Sequence, residues 1–519
     1  MSVSPQSSST RSRWLAFGPG LLFAGAAVGV SHLVQSTRGG AEFGLVAVLI
    51  VAASCLIKWP AFRFGPLYAA LTGDTLLDGY RRRGRWTLVI FGLMTLAICF
   101  TTLAAVTSVT AGLLLNLLPG VSETLGDLPG PLGRNVTGLV SLAVLGGVAA
   151  ALLTGGYRLL DRSMKVVMPV LAASTLIAAV IALPALVASG FGDPSSLGTP
   201  EGQQLSVAMI GWMPAPIDIA VWSSIWTLAR ARSAGTRGTT DSILLDFDAG
   251  YLSTLILAIA FALLGAGVMH GHGIAFENSS VAFAGQVVDL YASQLGEWTR
   301  PVISIAAFLT MLSTTIAVAD GFPRSAAAFV EAWNRPLSKS GAKARTARSK
   351  SSRDDVIVPN LIMSAIADSI SRHEQLAGKL LPSATVATAP ERAETSPDAA
   401  DLVRSKALGD PKVYWISFSV IAVGAAVILL AVLGGQSGGF KALVDLVTVV
   451  SFLVAPVLVV FNHLCINGAE VPSEHRPSLV WQIWSWIAIV STSIFAAVYM
   501  FMTLKPWLIS LAVAPTPAG

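Results

Sequence analysis

Apolar runs of about 20 residues, the length a helix needs to cross a bilayer, recur along almost the whole chain. Hydrocarbon offers no partner to backbone N–H and C=O groups, so runs of this length close their own hydrogen bonds as helices. Of the 519 residues, 54% are hydrophobic and only 12% are charged, with a mean hydropathy of +0.69. That balance excludes an ordinary soluble domain. The expected fold class is an all-α integral membrane protein with about 11 transmembrane helices.

The expected spans are Phe17–Gln35, Phe43–Phe64, Trp86–Leu118, Thr137–Thr154, Met164–Leu186, Leu205–Trp226, Ala249–Met269, Val302–Ala319, Tyr414–Leu433, Phe440–His463 and Leu479–Met502. The run after the polar tail 1–16 ends in Ser31-His32-Leu33-Val34-Gln35 without a small-residue cleavage site. It is therefore read as a retained helix rather than a signal peptide.

Charge orients the spans. Arg11, Arg13, Arg81, Arg82, Arg83, Arg85, Arg158, Arg162, Lys165, Arg230, Arg232 and Arg237 fall in alternate connections, whereas the opposite connections hold only Arg38, Arg134, Arg300 and Lys441. By the positive-inside rule the N-terminus is cytoplasmic and the tail 504–519 extracytoplasmic, in a multi-pass cell-membrane protein. The formal charge of +5 is thus a topology signal and implies no nucleic-acid partner. Helices fill 17–333 and 413–503. Between them, 334–412 is rich in Ser, Ala, Pro and charge and reads as a mostly disordered cytoplasmic insertion. Its basic cluster, including Lys339, Lys343 and Arg345, is read as a solvated run, with anionic lipid as the alternative partner.

Spans 1 and 6 are broken. Span 1 carries Gly18-Pro19-Gly20 and Gly29-Val30-Ser31-His32 followed by Gln35-Ser36-Thr37, and span 6 carries Gly211-Trp212-Met213-Pro214-Ala215-Pro216-Ile217-Asp218. Two prolines two apart remove two amide donors, which frees carbonyls near Trp212 and Met213. At membrane depth such backbone is tolerated only where it lines a protein interior. Span 6 opens a second set of five helices, and an odd-numbered repeat inserts inverted relative to its partner. Breaks at matching positions of two inverted halves mark a transporter's substrate site.

These residues carry a family resemblance. The stretch from Gly18-Pro19-Gly20-Leu21-Leu22 to Gly39-Gly40-Ala41-Glu42-Phe43-Gly44 resembles helix 1 of the NRAMP divalent-metal transporters, Met213-Pro214 matches the family's helix 6 Met-Pro, and Tyr157-Arg158-Leu159-Leu160-Asp161 is similar to the segment before helix 5. The resemblance implies a LeuT-type 5+5 inverted repeat with alternating access. It also places Gly29 where the family has its metal-binding aspartate, His32 at its asparagine and Ala215 at its histidine. Met213 is the side-chain ligand it retains, and the acidic positions of the helix 3 proton route fall near Ser108 and Ala111.

The expected substrate-binding residues are Gly29, Ser31, His32, Gln35, Met213, Pro214, Ala215 and Asp218, with His32 and Met213 as candidate metal ligands. Hard divalent ions need carboxylate oxygens. A site of imidazole nitrogen, thioether sulfur and carbonyls suits a softer transition metal, so manganese is expected to be a poor substrate. The alternative cargo is a small organic solute or a monovalent ion held by the half-helix ends, His32, Gln35 and Asp218.

Other polar residues have structural and functional readings. His32 is read as a ligand or proton carrier, or as a partner of a loose helix end. Asp218 either serves the site or pairs with Lys58 or Arg63, both of which are expected to snorkel to the cytoplasmic interface. Asp445 is expected to pair with Lys441, four residues earlier on one helix. Ser108, Ser313 and Thr314, with Thr107, Thr110 and Thr315, are second-rank candidates for a polar path, or else bond their own backbone. His270-Gly271-His272 and the nominal glycosylation acceptor Asn278-Ser279-Ser280 are weak signals. Cys55, Cys99 and Cys465 are expected to be inert packing residues.

The functional expectation is a secondary transporter in the lipid bilayer, moving a small ion, foremost a metal, with a proton or cation as coupling ion and no cofactor. A transporter-like sensor or scaffold that binds without transport is the alternative from another class. No span holds a metal-protease motif or a nucleophile with a paired base, so no enzyme is expected. Oligomeric state is left open.

Overall fold

The computed structural model describes residues 19–127, 133, 135–154, 156–189, 192, 194–234, 238–272, 274, 276–335, 409–433 and 439–512. Gly18, both outer tails and nearly all of the expected insertion lie outside the described residues, as do the side chains of Tyr157 to Asp161. Nine helices are long and apolar enough to cross a membrane among the described residues. Two further segments, at the positions of spans 1 and 6, are interrupted.

The first segment consists of α1 (Pro19–Ala27), a π-helical turn (Ser31–Ser36) and α2 (Thr37–Phe43). Gly44, at φ +58°, takes a backbone geometry that only glycine adopts cheaply and leads directly into α3 (Leu45–Thr72). Span 1 therefore runs to Phe43 rather than Gln35. Its polar second half reads as a loop only because the sequence does not show that it is buried. Next come α4 (Leu76–Arg83), α5 (Arg85–Leu117), α6 (Pro119–Gly126), α7 (Val136–Thr154) and α8 (Gly156–Ser189). The second interrupted segment is α9 (Pro200–Trp212) and α10 (Ile219–Ala234), followed by α11 (Thr240–Val268), α12 (Ser280–Leu295) and α13 (Arg300–Asn334). After residues 336–408, which lie outside the described residues, come α14 (Pro411–Leu433), α15 (Gly439–Ile466) and α16 (Leu479–Ala512).

Three short helices, α4, α6 and α12, stand where loops were expected. Helix α4 begins with a capping box in which Thr75 and Asp78 satisfy each other's amides, as such boxes do. Its arginines are more than topology markers. Arg82 pairs with Asp74, and Arg83 reaches Glu470 at 2.9 Å and the Leu464 carbonyl at 2.7 Å, which caps the end of α15. Tyr80 donates to Asn462 Oδ1 at 2.6 Å, and burial holds its hydroxyl well above the usual tyrosine range. Helix α13 also outruns the expected Val302–Ala319. Asp320, just past the expected end, is paired with Arg324 at 2.5 Å and accepts from the Tyr414 hydroxyl at 2.8 Å.

The interrupted first segment lies in a trough whose floor is α11. A β-carbon at Gly20 would come within 2.0 Å of the Asp246 carbonyl, one at Gly250 within 2.2 Å of the Gly20 carbonyl and one at Gly265 within 2.1 Å of the Thr37 carbonyl. The two backbones touch, which is how membrane helices gain contact when lipid supplies no hydrophobic drive. Elsewhere α13 packs on α5 and α14, α8 on α11, and α9 on α15.

Candidate substrate site at the two helix breaks

Breaking a helix frees carbonyls, and the structure shows where these go. In the first segment the Ala27 carbonyl accepts from Ser31 Oγ at 2.6 Å. The carbonyls of Gly25 and Val28 lie 3.0 and 3.1 Å from Thr314 Oγ1 of α13. In a regular helix the Ile210 carbonyl would take its proton from residue 214, which is Pro214 and has none. Lys58 of α3 takes that place, with Nζ 2.7 Å from the Ile210 carbonyl and 3.4 Å from that of Gly211.

His32 is wholly buried, with Nδ1 2.7 Å from Ser31 Oγ and Nε2 3.0 Å from the Thr254 carbonyl of α11. A carbonyl only accepts, so Nε2 carries the proton. Nδ1 lies against the Ser31 hydroxyl, whose single proton is shared with the Ala27 carbonyl, and the ring is set at 81° to that of Phe261. Met213 meets the first segment at Ser36, whose hydroxyl donates to its sulfur at 3.4 Å. Ala215 is buried in the main core, and Pro214 is buried beside it. Among the described residues, no group of three or more His, Cys, Asp or Glu side chains could hold a metal ion.

Other expected site residues are buried without side-chain partners. Neither amide atom of Gln35 has a hydrogen-bond partner, and the Asp218 carboxylate meets only the adjacent backbone N–H groups of Asp218 and Ile219, with no side-chain partner. Thr37 Oγ1, Trp222 Nε1 and Ser223 Oγ have no partner either, so most of the partnerless buried side-chain atoms found among the described residues lie on the two interrupted segments. Trp222, one turn beyond Asp218, packs edge-on against Phe322 with ring centroids 4.9 Å apart.

The expected pairings are redrawn. Asp445 binds Arg38 of α2 at 2.5 Å, joining the first segment to α15, rather than Lys441 on its own helix. Arg63 pairs with Asp248 at 2.9 Å and lies 4.2 Å over the Trp481 ring. Lys58 does not snorkel, because α3 continues to Thr72 and leaves it midway along a 28-residue helix. The sequence span ended at Phe64, which put Lys58 near the interface. Thr107, Ser108 and Thr110 bond their own backbone at 2.7–2.8 Å, and Thr110 also meets Thr315 at 2.8 Å. Ser313 is buried on α13 beside Thr314. His270 Nδ1 bonds the Ala41 carbonyl at 2.9 Å, and His272 is exposed. Ser279 caps α12. Cys55, Cys99 and Cys465 are free thiols in the buried interior.

No family model matches the chain. An uncharacterized protein of Pasteurella multocida (strain Pm70), PM0681, is 36% identical over 324 residues, 62% of this chain and 71% of that one. The chain belongs to that protein's family. Among solved structures, that of MhsT in complex with L-phenylalanine aligns over 96% of this chain and 99% of its own, with a TM-score of 0.55 and 13% identity. A mutant of the manganese transporter of Eremococcus coleocola aligns over 98% of both chains with a TM-score of 0.44 and 15% identity. The fold is that of the LeuT-type membrane proteins. Within it, the breaks seen in this family member's first and sixth segments are each closed by a side chain from a neighbouring helix, Thr314 at one and Lys58 at the other.

Proposed function

We propose that this protein is a secondary transporter working by alternating access, and that its substrate is a small organic solute bound between the two interrupted segments. The observation that carries the reading is the concentration there of buried polar groups without a side-chain partner: the Gln35 amide, the Thr37 hydroxyl, the Asp218 carboxylate, the Trp222 indole and the Ser223 hydroxyl. Leaving such groups unpaired costs about 1–3 kcal/mol each, which a ligand with its own donors and acceptors removes. Gln35 and Thr37 follow the first break, and Asp218 stands at the start of the half-helix after the second, so a solute passing between the segments meets polar groups on both. The Asp218 carboxylate suits an amino group, and the Gln35 amide suits either a donor or an acceptor. L-phenylalanine, present in the MhsT structure, is a solute of this kind.

A metal cargo is the second reading, supported by the Met213 sulfur buried at the break with a hydroxyl as its contact. It is the weaker of the two. Ser31, Thr314 and Lys58 already lie against the carbonyls that would complete a cation's shell, and His32 is held between the Ser31 hydroxyl and the Thr254 carbonyl. The charge asymmetry supports a cytoplasmic N-terminus and eleven crossings, counting both interrupted segments, arranged as two inverted sets of five plus one. The NRAMP-like motifs support descent from that architecture.

Uptake into proteoliposomes tests the reading, with a panel of amino acids, organic amines, small carboxylates and divalent metals under imposed proton and sodium gradients. Accumulation of an organic solute, lost in Gln35→Ala and in Asp218→Asn with folded protein retained, is the expected result. Accumulation of a metal alone, binding without uptake, or both variants transporting like the wild type would overturn it.

A further inference from the structure

We infer that the Lys58 ammonium is the resident cation of the second helix break, a covalently tethered ion standing where a free cation would otherwise be needed. The argument starts from backbone chemistry. Pro214 has no N–H to give the Ile210 carbonyl, and α9 ends at Trp212, so its last carbonyls present the negative end of a helix to a buried space. In discontinuous membrane helices such carbonyl ends hold a metal or alkali ion. Here Nζ of Lys58 lies 2.7 Å from the Ile210 carbonyl and 3.4 Å from that of Gly211. The side chain is only 2% exposed, and among the described residues no carboxylate pairs with it. A lysine this deep with carbonyls as its partners serves the break itself. The ammonium therefore removes the need for sodium, potassium or a metal at this end of the site.

The inference goes beyond the transport reading and does not depend on it, because its readout is thermal stability. Lys58→Ala removes three methylenes and the ammonium, which n-propylammonium matches atom for atom. Purified full-length protein is melted in sodium, potassium, n-propylammonium and choline chlorides at equal ionic strength. Lys58→Ala should melt well below the wild type in choline and recover with n-propylammonium, and in part with sodium or potassium, while the wild type responds to none of them specifically. Lys58→Met, which fills the space without charge, should melt low and stay low. Equal melting of Lys58→Ala in all four salts, or sodium-specific stabilisation of the wild type, overturns the inference. If Lys58→Ala yields no folded protein, Lys58→Arg and Lys58→Met decide. The inference requires the first to melt near the wild type and the second well below it, and equal melting of the two overturns it.

Discussion

Thr314 occupies the space into which any side chain at position 29 would extend: a β-carbon built on Gly29 would lie 2.6 Å from Thr314 Cγ2 and 2.9 Å from its Oγ1. The same hydroxyl lies within hydrogen-bond distance of the carbonyls freed by the first break. The bare position 29 and the threonine at 314 are thus two halves of one arrangement. A β-branched residue held by hydrogen bonds cannot swing aside. Gly29→Ala should therefore destabilise the protein by about 1–3 kcal/mol, as overpacking does, and adding Thr314→Ser, which removes the nearer methyl but keeps the hydroxyl, should recover part of the loss. Thermal unfolding of the three variants in detergent checks this; an unchanged melting temperature for Gly29→Ala would refute it.

Manganese should bind the wild type weakly. Position 29 offers no side-chain oxygen, and His32 is held with Nε2 on the Thr254 carbonyl and Nδ1 against the Ser31 hydroxyl. Calorimetry giving a Kd near 1 μM, about −8 kcal/mol, would count against this account. The steric relation adds a condition: restoring a hard-ion site needs Gly29→Asp and His32→Asn together with Thr314→Ala, and the first two alone should fold poorly.

The pair Arg38–Asp445 ties α2 to α15 across the interior, with side-chain exposures of 9% and 5%. Removing one partner leaves the other charge buried alone, so Arg38→Ala or Asp445→Ala should each cost about 3–5 kcal/mol. The apolar double variant Arg38→Met with Asp445→Leu should lose far less. Lys441→Ala is the control for an intrahelical pairing and should be silent. A double-mutant cycle on melting temperature that returns no coupling between 38 and 445 would show that the contact carries no weight.

The expected insertion should be dispensable for folding. Its flanks are already held together, because Glu331 Oε2 accepts from the Gly409 amide at 2.8 Å, and closing a shorter loop costs little entropy. Replacing residues 339–404 by a short Gly-Ser linker should leave the yield of monodisperse protein nearly unchanged. A collapse of that yield on size-exclusion chromatography would show that the segment supports the helices.

By itself the sequence determined what local chemistry dictates. Apolar runs of bilayer length require helices, Pro214 and Pro216 forbid a continuous sixth segment, and the glycines flanking His32 allow the first to break. Gln35 and Asp218 stood out as candidate site residues because a polar side chain at that depth is costly without a purpose. The tertiary structure decided the partners, since contacts between residues hundreds of positions apart leave no trace in spacing. Lys58 reads as an interfacial lysine until α3 is seen to continue eight residues past Phe64, to Thr72. Asp445 reads as the partner of Lys441 until α2 brings Arg38 against it. Thr314 reads as a helix hydroxyl bonded to its own backbone, and it does lie 3.1 Å from the Thr310 carbonyl, but packing also sets it over the Gly25 and Val28 carbonyls. Helix breaks are written in backbone chemistry and so are local, whereas what closes them depends on which helix lies opposite, and only packing settles that.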